Sequence, residues 1–482
     1  MQREPSFKPI NSRPTEGRNW LPIIVGGGLA LIVACAAAFA LFAFLWKPAI
    51  PDARPTPSGV VVSFATETPT PGGNNPPTAD PLSPDSQDTP TVNVEQPTVE
   101  TPTDTPAAGE ETPTPPPAQE TPDSSDPTST PTPIPPPPPA GSVQAPFAYG
   151  MQVDPSAEPA EIVNHLNTLG ISWVKFQVSW KELEPQQGTR NWGEWDRLIL
   201  AYHNAGFNIL LSIVKAPDWA RPTNTDLSQE GPPADPNSYA LFVGELAKRY
   251  KGGVQAIEVW NEQNLAREGG GVPMPPADYV ALLSAAYQSI KTADPSIVVV
   301  SGAPTPAGDV PGSAIDDINY LSAMYGAGLK NVSDVIGVHP SGYNCPATAD
   351  WQTASDPTAG FRGPFDNRHH SWCFRGTMEG YRNVMVANGD ANKRLWPTEF
   401  GWAVSSTPQS GYEYAADNTL EEQAKWIAEA FQQAKDWQWV GPMFLWNLNY
   451  AVTRPGSEQA AFSILTAEGP SPAYHALVSI PK

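Results

Sequence analysis

The stretch SYALFVGELAKRYKGGVQAIEVWNE, residues 238–262, carries the pattern that decides the fold. Its first half, Ser238–Tyr250, reads as an amphipathic helix, with Leu241, Leu246 and Tyr250 along one side. Its second half holds a short apolar run, Ala256–Trp260, that reads as a strand. A polar pair, Asn261-Glu262, closes it. The same alternation runs on both sides of this stretch. Strands are predicted at Ala148–Val153, Trp173–Val178, Asn208–Val214, Ala256–Trp260, Ile297–Ser301, Asp334–Val338, Leu395–Thr398 and Met443–Trp446. Helices are predicted at Ala160–Leu169, Trp192–Ala205, Ser238–Tyr250, Ala277–Ala293, Ile315–Tyr325, Met378–Ala387, Leu420–Trp437 and Ser471–Val478. Gly170 and Gly206 stop the first two. Thr419 and Glu422 have capping-box spacing at the start of the seventh. Eight strands, each followed by a helix, give an α/β fold of the (β/α)8 TIM-barrel type. Parallel neighbours need such crossover helices. A doubly wound open sheet would want a Gly-rich first turn, and Asp154-Pro155-Ser156 is not one.

The repeats begin only near residue 146. The chain has 482 residues and 58 prolines, about one in eight, more than a single compact fold absorbs evenly. Residues 1–20 read as a cytoplasmic tail with Arg3, Lys8, Arg13 and Arg18. Residues 21–46 carry no charge, are long enough to cross a bilayer, and are flanked by Trp20 and Trp46. They are predicted to be a single transmembrane helix in a lipid bilayer. A cleaved signal peptide, or a lipoprotein cleavage site before Cys35, is the alternative. The basic flank favours the N-terminus inside, which places the rest outside the cell membrane. Residues 47–145 form a Pro/Thr-rich linker, with Thr-Pro repeats and a run from Pro135 to Pro139. It has too few large apolar groups to order itself and is predicted to be a disordered, extended stalk. Residues 146–482 hold 14 of the 16 tryptophans, and 337 residues suit one large core.

Charge and composition exclude several classes. The formal charge is −22, with 50 acidic against 28 basic residues, which argues against nucleic acid. Three cysteines are too few for a disulfide-dense scaffold. His369-His370 resemble a metal pair on paper, but adjacent residues are expected to point apart and no third ligand is evident. No metal and no cofactor are expected.

Two glutamates stand in unusual text: Trp260-Asn261-Glu262-Gln263-Asn264 and Trp396-Pro397-Thr398-Glu399-Phe400-Gly401-Trp402. Each follows a predicted strand, the fourth and the seventh. Chemistry in a barrel sits at the C-terminal ends of strands. Cleavage of a glycosidic bond needs such a pair, one carboxylic acid to protonate the leaving oxygen and one carboxylate to attack the anomeric carbon or activate water. Flanking tryptophans offer flat faces to sugar rings.

With these motifs the segment resembles clan A of the retaining glycoside hydrolases. Asn261-Glu262 and Glu399 fit the clan. Trp180-Lys181-Glu182-Leu183-Glu184-Pro185, followed by Trp192 and Trp195-Asp196, looks like the family's second strand-to-helix connection. Phe462-Ser463-Ile464-Leu465 and Pro472-Ala473-Tyr474-His475-Ala476-Leu477 look like the closing turn and helix of glycoside hydrolase family 39, with family 5-like enzymes sharing much of this. The resemblance implies Glu262 as acid/base, Glu399 as nucleophile, Asn261 on the sugar 2-hydroxyl and Trp446 as the platform beneath that sugar. His339 follows strand six and is a candidate substrate contact, with a core or supporting histidine the alternative. Relatives carry a tyrosine two residues on, but here Ser341 stands there and Tyr343 comes next. Lys175 lies near the place of a strand-two arginine. Trp180 and Trp219 are candidate subsite platforms and Trp402 a candidate wall of the cleft, with structural packing the alternative. Glu262 is expected to have a raised pKa, in part from the negative Glu399. Cys345 and Cys373 fall between strand six and helix six and are expected to pair outside the membrane, two free thiols being the alternative. The implied protein is a membrane-anchored glycosidase acting on poly- or oligosaccharides. A weakly catalytic carbohydrate-binding protein and a transglycosylase are the competing readings.

Overall fold

The computed structural model describes residues 145–482. The tail 1–20, the span 21–46 and all but the last residue of the 47–145 linker lie outside the described residues. Among the described residues no helix is long and apolar enough to cross a membrane.

Eight parallel strands alternate with eight helices of at least eight residues among the described residues. The order is β1 (Ala148–Gln152), α1 (Pro159–Thr168), β2 (Trp173–Ser179), α2 (Gly193–Asn204), β3 (Asn208–Val214), α3 (Pro236–Arg249), β4 (Ala256–Val259), α4 (Pro276–Ala293), β5 (Val298–Ser301), α5 (Asp317–Gly326), β6 (Ile336–Val338), α6 (Phe374–Ala387), β7 (Leu395–Pro397), α7 (Leu420–Asp436), β8 (Pro442–Leu445) and α8 (Pro472–Ser479). Six strands form one sheet in the order β5-β4-β3-β2-β1-β8, and β6 pairs with β7. Single parallel bridges, Val300 to Val335, Leu395 to Val440 and Phe400 to Leu445, join the pair to both edges of the larger sheet. The architecture is TIM-barrel-like, and the α/β alternation expected from sequence is present.

Side chains alternate across each strand, which builds two cores. Trp173, Leu210, Ala256, Val298, Val300, Trp396 and Phe444 fill the inside of the ring. Tyr149, Val174, Phe176, Ile209, Leu211, Ile257 and Val299 pack outward on the helices. Gly150 has a steric role here. A Cβ on it would fall 2.6 Å from the Phe444 ring, so any larger residue would displace that interior side chain. Two residues beyond the apolar layer, on the same inward face, stand Lys175, Glu258 and Thr398. The floor of the site is therefore polar and buried.

Local departures have physical causes. In α3 the buried face is Tyr239, Phe242, Val243 and Leu246, while Leu241 is 66% exposed. Positions 241 and 246 lie about 140° apart on a 3.6-residue helix, so they do not share a face. Helix α6 starts at Phe374, four residues before its expected start at Met378. Gly376 weakens the sequence signal, yet a Cβ there would meet the His370 carbonyl at 2.6 Å and the Trp351 ring at 2.7 Å. Helix α7 has the expected capping box: Thr419 Oγ1 accepts from Glu422 N (3.1 Å) and Glu422 Oε2 accepts from Thr419 N (2.9 Å).

Candidate active site

Glu262 and Glu399 both lie just beyond strand ends, on β4 and β7. The chain leaves β4 through two left-handed non-glycine residues, Trp260 (φ 72°) and Glu262 (φ 42°). Such backbone costs about 1–2 kcal/mol per residue and needs support from its surroundings. The neighbours supply it. Glu262 N donates to the Ala303 carbonyl (3.0 Å). Gln263 Nε2 donates to the Gly302 carbonyl (2.8 Å), and Asn264 exchanges bonds with Thr305 and reaches the Ile315 carbonyl (3.0 Å). The Trp260 indole donates to the Glu268 carbonyl (3.1 Å). Glu399 is fixed on both sides, by Thr398 N to the Val338 carbonyl (3.1 Å) and Phe400 N to the Phe444 carbonyl (3.1 Å).

The two carboxylates meet across His339. Its Nδ1 lies 3.1 Å from Glu262 Oε1 and 3.8 Å from Glu399 Oε2. One donor atom from each of Glu262, His339 and Glu399 lies within 4.8 Å of the others. Below them Lys175 Nζ donates to Glu399 Oε1 (2.8 Å) and sits 3.4 Å from Glu258 Oε2. Thr398 Oγ1 donates to the other Glu258 oxygen (2.6 Å). Arg267 pairs with Glu262 Oε2 from the solvent side, its side chain 60% exposed.

These contacts set the protonation states. Burial alone would raise the pKa of Glu262, but Arg267 and His339 outweigh it and hold the carboxyl below its ordinary range. The expectation of a raised pKa is thus corrected. It counted the Glu399 charge and had no sight of the guanidinium five residues on. Burial would lower the pKa of His339, yet Glu399 and Glu262 raise it. Lys175 follows the same pattern, with the two carboxylates outweighing full burial. Glu268, next to Arg267, is pushed up to about 7 by burial and by the Glu262 charge. The Glu262, His339 and Glu399 donors could also hold a cation, but it would have to displace the positive charge that Arg267 and Lys175 already supply.

The other sequence candidates fall into two groups. Asn261 is buried beside Glu262, and its Oδ1 has no partner among the described residues. The His339 Nε2 is likewise buried and unpartnered. Trp446 is half-buried, edge-on to Tyr450 at 5.2 Å. Lys175 is in the site but wholly buried, so it holds Glu399 and cannot touch a substrate. The remaining aromatics are mostly packing. Trp180 is fully buried, donates to Glu184 (2.9 Å) and stacks on Phe242, so it is no subsite platform. Trp219 is half-buried, edge-on to Trp180, and donates to the Glu184 carbonyl (3.0 Å). Trp402 is fully buried and donates to the Cys345 carbonyl (2.9 Å). A Cβ on Gly342 would fall 1.8 Å from its indole nitrogen. The Tyr343 hydroxyl donates to the Pro306 carbonyl (3.3 Å), and its ring packs on Trp372 and Tyr414. Cys345 and Cys373 are disulfide-bonded.

Sequence reasoning missed Arg267, Glu258 and Thr398. Glu258 had a signal, since an acid inside the run Ile257-Glu258-Val259 must find a partner when buried. Arg267 had none, because the left-handed turn at Glu262 decides where its partner points.

The chain is similar to several solved structures. One is a family 39 glycoside hydrolase from the gut symbiont Bacteroides cellulosilyticus WH2, 21% identical with a TM-score of 0.51, covering 69% of this chain and 63% of that one. This chain thus spans less than two thirds of that structure's length, and the likeness is one of fold. A glucosidase from Croceicoccus marinus aligns at 15% identity and TM-score 0.48, over 70% of this chain and 68% of that one. A xylanase 10B from Thermotoga petrophila RKU-1, in complex with xylobiose, aligns at 13% identity and TM-score 0.45, over 70% and 94%. No protein-family model matches the sequence, and no curated protein does.

Replacing Arg267 tests the electrostatics. In Arg267→Ala the pKa of Glu262 rises toward the value burial would give it. A step that needs protonated Glu262 should therefore persist to higher pH. The alkaline limb of the kcat/KM profile is expected to move up, and an unmoved limb would show that Arg267 does not set that ionisation.

Proposed function

We propose that residues 145–482 form a retaining O-glycosidase, cleaving β-glycosidic bonds of poly- or oligosaccharides by double displacement. The observation that carries this reading is the pairing of Glu262 and Glu399 at the ends of β4 and β7, with donor atoms within 4.8 Å. Retaining enzymes hold their two carboxyl groups about 5–5.5 Å apart, whereas inverting ones leave about 6.5–9.5 Å for a water. In the first step Glu399 attacks the anomeric carbon, the glycosidic bond breaks, and Glu262 gives its proton to the leaving oxygen. In the second, ionised Glu262 takes a proton from water, which displaces Glu399. Lys175 holds Glu399 in place through its 2.8 Å bond to Oε1. The Arg267 pair favours the ionised Glu262 of the second step. The first step requires the exposed guanidinium to swing away. Asn261, with its free Oδ1, faces the task of binding a sugar hydroxyl, and half-buried Trp446 that of carrying the ring. The likeness of fold to a family 39 glycoside hydrolase supports the same reading. In the cell the enzyme would stand on the outer face of the membrane, anchored by residues 21–46 and carried on the linker 47–145.

A panel of activated 2-deoxy-2-fluoro-β-glycosides tests the proposal. One member should label the protein with a single sugar on the peptide that holds Glu399, and products from an unmodified substrate should keep their anomeric configuration. Inverted products, or a label elsewhere, would overturn it. Absence of turnover across plant and microbial polysaccharides would favour a carbohydrate-binding protein. Sugar-for-water interception at high acceptor concentration would mark a transglycosylase.

A further inference from the structure

A second cluster of ligand-type side chains lies where the loop after β5 meets the loop after β6. Asp316 caps α5: its Oδ1 accepts from Asn319 N (2.8 Å), which leaves Oδ2 free. That Oδ2 is 3.0 Å from His369 Nε2 and 3.7 Å from His370 Nε2. His370 Nε2 is also 3.0 Å from Asp317 Oδ1. Donor atoms of Asp316, His369 and His370 all lie within 4.8 Å of one another. This corrects the expectation that the two histidines point apart without a third ligand. His369 is extended (φ −148°, ψ 142°) and His370 opens a 3-10 turn, so the backbone bends between them. Their rings end 4.1 Å apart, and Asp316 arrives from a loop distant in sequence.

The spacing and surroundings suit a cation. With zinc bonds of about 2.0–2.1 Å, neighbouring donors in a tetrahedral site lie about 3.3–3.4 Å apart. The observed 3.0 and 3.7 Å fall on either side of that. A metal-bound imidazole needs a partner for its other nitrogen, and the Ser371 hydroxyl already touches His369 Nδ1. Asp317 is fully buried beside the cluster, held by His370 Nε2 (3.0 Å), Ala307 N (3.4 Å) and the Tyr381 hydroxyl.

We propose that Asp316, His369 and His370 bind one divalent transition cation, zinc by their donor set, and so pin two loops together on the active-site face. The site is separate from the glycosidase reading and stands or falls without it. The test uses the full chain, stripped of metal and titrated with zinc by calorimetry and with cobalt(II) by visible absorption. One equivalent should bind at about 1 µM or tighter, with the absorption of a low-coordinate cobalt site and a rise in Tm. His369→Ala and His370→Ala should each weaken binding at least about 100-fold, the upper range seen even for outer-shell partners. His203→Ala, an exposed histidine on α2, should leave it unchanged. Asp316→Asn keeps the helix cap, since asparagine caps as well as aspartate, and should still lose at least about tenfold. No saturable zinc in the parent chain overturns the proposal. So does binding that survives Asp316→Asn undiminished, or that is lost only in His339→Ala, which would place the ion between Glu262 and Glu399.

Discussion

Glu399→Ala is expected to abolish turnover of aryl β-glycosides, by a factor on the order of 10⁵, the scale lost when a nucleophile is removed from a covalent mechanism. On the proposed mechanism the substitution deletes the attacking atom, and it leaves Lys175 facing Glu258 alone. Glu262→Ala should behave differently. Natural substrates, with alkoxide leaving groups, should lose about 10²–10⁴-fold. Aryl glycosides with acidic phenols need no proton and should keep most of their first-step rate. If Glu262 has the proposed base role, added azide should restore turnover in place of the activated water, giving a β-glycosyl azide. Equal losses on both substrate types in Glu262→Ala would deny it the acid role.

Lys175→Met should produce the largest loss of stability. The ammonium is buried with Glu258, with no side-chain exposure on either, and reaches Glu399 above. Its removal leaves two carboxylates without their counter-charge. Breaking a buried pair in this way costs about 3–5 kcal/mol, most of it from the stranded charge. Urea melts of the parent and variant measure it. Lys175→Met/Glu258→Gln removes one stranded charge and should recover part of the loss. If the double variant is no more stable than the single one, the ion cluster is not what supports this layer. In both variants Glu399 loses the hydrogen bond that positions it, so activity should fall as well.

The barrel was legible because its repeat is local: each apolar run and each helix announces itself within some forty residues, and the expected strands lie within two residues of the observed ones at either end. Glu262 and Glu399 were singled out because they follow strand ends, and the structure brings them together around His339. The aromatic residues were not. Trp180, Trp402 and Trp446 look alike in sequence, and only the direction of each side chain separates a packed indole from an accessible one. Lys175 was noticed for its place on β2, but Glu258, two residues inside β4, sets its role. The charge balance at Glu262 depends on Arg267, whose approach is fixed by left-handed backbone that sequence does not advertise. His369 and His370 show the same limit, since a turn between neighbours overrides the rule that adjacent side chains diverge.

The Cys345–Cys373 bridge closes a separation of 28 residues, which on loop-entropy grounds is worth roughly 3–4 kcal/mol. Trp402 hangs from the Cys345 carbonyl, and α6 begins directly after Cys373. Heterologous production in a reducing cytosol would therefore deliver thiols in place of this staple, with the long β6–α6 connection no longer closed at its base. Export to an oxidising periplasm is the route that should yield chain of uniform proteolytic resistance.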